Sequence, residues 1–181
     1  TFLYLIGFIS GVFVPVHAGA GGPDSTLGVG LAIDFALIAL FGMQHSIMAR
    51  PWFKRALTRV LPQAMERTLF VLVTCGLWAL MFWQWRPLSG EVWATDGWLA
   101  TALQIVCFAG FGIVLLSTFL IDHFDLFGLR QTWLAFRGRP YTQKAFAERL
   151  FYRHVRHPLM LGFLIAMWSA PTMQLGRFVF A

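Results

Sequence analysis

The sequence predicts an all-α, polytopic integral membrane bundle of about five transmembrane helices, with short interfacial helices on its cytoplasmic side. Three observations predict it. First, 58% of the 181 residues are hydrophobic and only 12% are charged, whereas a soluble domain usually carries about 25% charge. One 20 kDa globule cannot hide that much apolar surface, so lipid must solvate part of it. Second, the apolar residues form runs long enough to span a bilayer, which takes roughly 20 residues in a helix. Third, the basic residues concentrate in alternate loops.

Five stretches qualify as spans: residues 1–16, 27–43, 68–85, 97–121 and 158–176. They are uniformly apolar rather than alternating with period two, which argues against a barrel. Backbone groups in lipid must then be satisfied within helices. Residues 1–16 lack the basic leader and cleavage site of a signal peptide. Thr1 already lies inside an apolar run, and the sequence stops at Ala181 as apolar sequence resumes. The expectation is therefore one membrane domain over residues 1–181, truncated at both ends.

The loops set the orientation. Twelve of the fourteen Lys and Arg residues fall in residues 44–67 and 122–156, while the intervening loops are slightly acidic. The positive-inside rule places the two basic loops in the cytoplasm. Trp83, Trp85, Trp93 and Trp98 flank the outer loop as an interfacial aromatic belt would. The net charge of +6 thus reflects topology, and no nucleic-acid motif accompanies it. The 35 residues of the second basic loop are long for a plain connector. They contain FGLRQTW, a turn at Gly138, Arg139 and Pro140, and an amphipathic stretch over residues 142–152, which predict two short interfacial helices.

Polar clusters interrupt the pattern at the cytoplasmic helix ends: Gln44, His45 and Ser46; Asp122, His123 and Asp125; Tyr152, His154, Arg156 and His157. Any one of them needs no function at a water boundary, but three at one depth, each with histidine, suggest a site. Pro158 suits the first turn of a helix, where its missing N–H costs nothing. That start exposes free N–H groups and a positive dipole end, to which Arg156 adds a fixed charge. Gly162 lies one turn further on the same face and leaves room for a flat group. Together these suit an anionic, partly aromatic ligand arriving from the cytosol.

Several residues read as structural. Cys75 and Cys107 lie mid-span and behave as small hydrophobes. His154 and His157 have no carboxylate or cysteine nearby to complete a metal shell, so no metal is expected. Asp34, inside the second span, is about 16 Å along the helix from His45, and a buried hydrogen bond to a neighbouring helix is its leading role. Gly7, Gly11, Gly110 and Gly112 read as packing residues.

The motifs MQHSIMARPWFK (residues 43–54), the pair Glu66-Arg67, FWQWRPL (82–88), DHFDLFGLRQ (122–131) and RHPLMLGFLIAMWSAPTM (156–173) resemble the bacterial methanethiol S-methyltransferase family over nearly the whole chain. More distantly, RHPxxxG is similar to the isoprenylcysteine carboxyl methyltransferases. The resemblance implies methyl transfer from S-adenosylmethionine to a small volatile thiol, methanethiol, giving dimethyl sulfide, in a bacterial inner membrane with the site facing the cytoplasm. It implies cofactor contacts from Tyr152, Arg156, His157, Pro158 and Gly162, with Arg130 and Gln131 near the cofactor's carboxylate or ribose. Those families continue into a further helix and a cytoplasmic segment beyond the point where this sequence stops. For the thiol proton, His45 is the first candidate base and Asp125 the second. A related methyltransferase with a larger thiol acceptor, and a non-enzymatic membrane protein, remain the alternatives.

The charge map makes a topology prediction. In a cysteine-free background, Asp24→Cys and Glu91→Cys should react with an impermeant thiol reagent added outside, and Arg55→Cys and Arg139→Cys should not. Outside labelling at 139 would invert the arrangement.

Overall fold

The computed structural model describes residues 1–142, 152 and 155–181. Its helices are α1 (Phe2–Ser10), α2 (Leu27–Met48), α3 (Pro51–Leu57), α4 (Gln63–Gln84), α5 (Gly97–Ile121), α6 (His123–Leu126), α7 (Leu129–Phe136), α8 (Pro158–Trp168) and α9 (Leu175–Phe180). Two short strands, β1 (Glu91–Ala94) and β2 (Thr172–Gln174), complete the described elements. The amphipathic stretch expected over residues 142–152 falls largely outside the described residues, as does His154.

Among the described residues, α2, α4 and α5 are long and apolar enough to cross a membrane. Only 11% of the most apolar window of α2 and of α4 is buried inside the protein, and 22% of that of α5. Side chains this apolar and this exposed need lipid around them. The chain is a polytopic helical membrane protein.

The first and last apolar stretches differ from single long spans. α1 stops at Gly11, whose left-handed backbone (φ 76°) and N–H bond to the Gly7 carbonyl close the helix. Pro15 then prevents its resumption, because proline fixes φ and removes a donor. α8 likewise ends at Trp168, three residues before Pro171. A residue preceding proline is pushed out of the helical region, and the chain leaves α8 as the extended strand β2. This strand pairs antiparallel with β1, Trp93 opposite Met173 and Ala94 opposite Thr172. Thr95 closes the pair by donating both N–H and Oγ1–H to the Pro171 carbonyl, each at 2.9 Å.

The tightest helix pair is α5 with α8. On α5 the buried face runs Cys107, Gly110, Val114 and Ser117; on α8 it runs Pro158, Gly162 and Ala166. Both stripes follow the three- and four-residue spacing of one helical face. At the crossing the two backbones touch. A Cβ on Gly110 would stand 2.7 Å from the Gly162 carbonyl oxygen, and one on Gly162 would stand 2.7 Å from that of Gly110. One turn away, the Cys107 thiol donates to the Ala166 carbonyl at 3.3 Å. The contacts fall as α8 numbers rise, so the helices run antiparallel, and the start of α8 lies toward residues 117–121.

At the other end, Trp85 is wholly buried and donates its indole N–H to the Ala18 carbonyl at 3.0 Å. Phe8, Phe82 and Phe180 gather around it with ring centroids 5.0–5.7 Å apart, the edge and tilted geometry aromatic rings favour. Asp34 is also wholly buried. Its Oδ1 accepts the Arg86 backbone N–H at 2.9 Å, so this intramembrane carboxylate ties α2 to the exit of α4, close to the helix-to-helix bond expected of it.

The crossing predicts a contrast among alanine variants. Gly110→Ala and Gly162→Ala should each destabilise the protein by about 1–3 kcal/mol through overpacking. Gly112→Ala, on the same helix with nothing within 4 Å, should be neutral or slightly stabilising. Thermal unfolding in detergent compares the three.

Candidate functional site

Of the polar clusters expected at one depth, Asp122, His123 and Asp125 stand just beyond the end of α5. α5 ends at Ile121, and Asp122 turns the chain with φ 121° and ψ 94°, a conformation that costs a non-glycine residue about 1–3 kcal/mol. Its carboxylate Oδ1 then accepts the Asp125 N–H at 3.2 Å and caps α6. His123, the next residue, stacks on Phe119 at 4.4 Å and contacts Phe127 at 4.7 Å. Its Nδ1 pairs with Thr118 Oγ1 at 2.8 Å. The ring is thus clamped on both faces and at one nitrogen.

Asp125 is the centre of the cluster. Arg130 Nη1 donates to its Oδ2 at 2.8 Å, in a pair that is largely shielded from solvent. Gln131 Nε2 donates to the Asp125 backbone carbonyl at 3.1 Å, and the Arg130 guanidinium also lies 5.4 Å from the centre of the Tyr141 ring. What is missing from this network is informative. Asp125 Oδ1 and Gln131 Oε1 are both buried and, among the described residues, have no hydrogen-bond partner. Buried acceptors left unmade are costly, and these two lie in the network around one arginine, Arg130.

α4 is stitched to this corner. Arg67 Nε donates to the Leu126 carbonyl at 2.8 Å, and Thr68 Oγ1 donates to the Gly128 carbonyl at 3.1 Å. Gly128 turns the chain from α6 into α7 with φ 78°, and a Cβ there would stand 2.7 Å from the Thr68 N. Both the positive φ and the close approach require glycine.

His45 sits near the end of α2, exposed, in a bracket of aromatic rings. Phe41 stacks on it at 5.6 Å and Phe70 of α4 lies 5.0 Å away. Arg67 covers Phe70 at 5.6 Å, so His45 and the Asp125 corner are linked through α4. Among the described residues no hydrogen bond or ring contact joins His45 to Asp125 directly. Beside it, Gln44 Nε2 reaches Met48 Sδ at 3.0 Å and Thr74 Oγ1 at 3.4 Å, while its Oε1 is buried and unpartnered.

At the start of α8, Arg156 and His157 are exposed and Pro158 is buried at the first helical position. Antiparallel pairing with α5 puts them at the Asp125 end of the bundle. Tyr152 is half-buried, and burial pushes its phenol above the usual range. Gly162 is turned toward α5, where its missing side chain admits the Gly110 backbone. Among the described residues no group of three metal-ligating side chains exists. Two contributors escaped the sequence reading, Thr118 and Thr68, and nothing in the sequence announced the strained backbone of Asp122. The Glu66-Arg67 motif drew notice by resemblance alone, since nothing in its spacing reveals that Arg67 reaches the carbonyl of Leu126.

These features define a polytopic helical membrane protein with a hydrogen-bonded polar cluster at the basic end of its bundle. The chain belongs to the NnrU protein family, whose model matches residues 35–171. Its relatives include methanethiol S-methyltransferase 2 of Bradyrhizobium diazoefficiens, 46% identical over 181 residues, covering all of this chain and 70% of the relative. The methanethiol S-methyltransferase of Mycobacterium tuberculosis is 43% identical, covering all of this chain and 74% of its own. That of a Pseudomonas species is 46% identical, covering all of this chain and 70% of its own. No solved structure matches the chain.

The stitched corner predicts that Gly128→Ala should cost about 1–3 kcal/mol through strain at a positive φ. It should also open the α4–α7 contact. Hydrogen exchange of the Thr68 and Thr132 amides should accelerate in the variant, while exchange in α5 stays unchanged.

Proposed function

We propose that this protein is a membrane-embedded thiol S-methyltransferase that methylates methanethiol with S-adenosylmethionine, working at the cytoplasmic face of a bacterial inner membrane. Its relatives carry that enzyme name, and the basic loops at the site end support the orientation by the positive-inside rule. The observation that carries the placement is the pair of buried, unpartnered oxygens, Asp125 Oδ1 and Gln131 Oε1, beside Arg130. They suit the ribose hydroxyls and ammonium of such a donor, while Arg156 at the start of α8 offers its positive charge to a carboxylate. Tyr152, His157 and Pro158 border that start, and Gly162 contributes by fixing α8 against α5.

When bound, S-adenosylmethionine supplies an electrophilic methyl group on a sulfonium sulfur. The chain's own residues then have two tasks. They hold the donor at the Asp125 corner, where Arg130 fixes one carboxylate oxygen and leaves the other to accept. They would also take the thiol proton: it would pass to an imidazole nitrogen of His45, leaving a thiolate to receive the methyl group that the donor would supply. The Phe41 and Phe70 rings hold the imidazole plane and leave its edge open. Opposite charges cancel in such a displacement, so a site that excludes water favours it. The surrounding lipid and aromatic side chains supply that exclusion, and a small apolar thiol dissolves in them.

The test is dimethyl sulfide formation by purified full-length protein, with methanethiol and longer thiols compared by gas chromatography. Absence of product with the donor saturating overturns the reading. His45→Ala should lower the rate by about 10²–10⁴-fold, the usual worth of a positioned base, without weakening binding of S-adenosylhomocysteine. The deficit should shrink as pH rises toward 10, because a simple alkanethiol, a weaker acid than the cysteine side chain with its reference pKa of about 8.5, increasingly ionises unaided there. A deficit constant across that range would transfer the role of base to Asp125.

A further inference from the structure

A second polar site lies at the opposite end of the bundle. Gln104 sits in the second turn of α5 and Asp122 just beyond its last residue, which separates them by about 27 Å along the helix. Around Gln104 is a cavity of about 260 Å³ bordered by Ser10, His17, Thr172, Gln174 and Arg177. It is smaller than the roughly 300–1,000 Å³ of drug-sized pockets and holds several times the ~30 Å³ that a water molecule occupies.

Arg177 dominates it. The residue is 6% exposed, and its described hydrogen bonds all leave from one nitrogen. Nη2 donates to the carbonyls of Ala166 at 3.1 Å and Met167 at 3.4 Å, and approaches the Cys107 sulfur at 3.9 Å. The carbonyls belong to the last turn of α8, so Arg177 caps that helix. A helix end carries about half a negative charge, which leaves part of the arginine's charge unbalanced. No aspartate or glutamate borders the cavity, and among the described residues no carboxylate pairs with Arg177; the ion pairs are Lys54 with Glu66 and Arg130 with Asp125. The field of the arginine reaches His17: burial lowers the pKa of that histidine, and the nearby guanidinium lowers it further. His17 Nδ1 accepts the Gly19 N–H at 3.2 Å, which leaves the proton of the neutral ring on Nε2.

Gln104 Nε2, Ser10 Oγ and Arg177 Nε are all buried without a hydrogen-bond partner. Two unsatisfied neutral donors, a buried cation with its Nε–H unpartnered among the described residues, and no acid in the cavity lining describe a place built for negative charge. We propose that this cavity binds a small monovalent anion, of the size of chloride or acetate, between Arg177, Gln104 and Ser10, and that the anion locks the end of α8 to α1 and α5. The site is independent of the methyl-transfer reading, which concerns the other end of the molecule.

The experiment is thermal unfolding of the full-length protein in detergent, at constant ionic strength and pH 8. Chloride or acetate replaces a bulky reference anion, HEPES, in steps. The melting temperature should rise by about 3–5 °C per tenfold increase in chloride or acetate above half-saturation. Gln104→Leu and Ser10→Ala remove donors but keep the helix cap, and they should fold and shift the half-saturating concentration upward at least fivefold. Arg177→Gln, where it folds, should abolish the response. A melting temperature that ignores the identity of the anion overturns the proposal, as does a response of equal size and midpoint in Gln104→Leu, Ser10→Ala and the unmodified protein.

Discussion

The crossing of α5 and α8 at Gly110 and Gly162 sets the geometry on which both polar ends depend. In lipid, two apolar helices gain nothing by hiding from their surroundings, since the acyl chains are as apolar as their side chains. What holds them is dispersion, which falls steeply with distance, so removing side chains at the crossing brings the backbones close enough for it to count. The Cys107 thiol bonded to the Ala166 carbonyl adds a directional contact one turn away. Because α8 is only 11 residues long, this one seam fixes both its ends. Its start carries Arg156 and His157 toward the Asp125 corner, and its final carbonyls meet Arg177.

The two ends are built by different means. At the basic end the backbone turns sharply through Asp122 and Gly128, and short helices α6 and α7 are held against α4 by hydrogen bonds to loop carbonyls. Such bonds hold Asp125, Arg130 and Gln131 in place and bury Asp125 Oδ1 and Gln131 Oε1 with no partner among the described residues. At the opposite end the closure is aromatic and extended. Trp85, Phe8, Phe82 and Phe180 fill the space between α1, α4 and α9, and the β1–β2 pair lies over it. The strands consume the backbone groups that the shortness of α8 would otherwise leave unpaired.

Asp34 and Arg177 show how buried charge is handled at the end of the bundle opposite the basic loops. Asp34 meets a backbone N–H at the exit of α4, and Arg177 meets carbonyls at the end of α8. Each ionisable group thereby completes a helix end instead of pairing with the other. The arrangement keeps both helix ends satisfied at membrane depth, where water is scarce.

The sequence by itself determined the membrane class, the spans α2, α4 and α5, and the clustering of charge at one end. Apolar length and the placement of lysine and arginine carry that information locally, and no neighbour can change it. Of the candidate site, the cluster of Asp122, His123 and Asp125 was legible because polar residues stand out against an apolar background, while Arg130 and Gln131 came only with the family resemblance. The tertiary structure decided the rest. α8 is apolar on every face, so no hydrophobic contrast says which face meets α5; only the fit of Gly162 against Gly110 chooses it, and that turns Gly162 to the seam. Residues 158–176 have the composition of one span, yet Pro171 and the partner strand β1 divide them, a pairing set by residues some eighty positions away. The link from Arg67 to the Leu126 carbonyl, the positive φ of Asp122 and the cap that Arg177 gives α8 share one cause. Each is a backbone contact between distant segments, and a backbone group looks the same in every residue of the sequence until the fold gives it a partner.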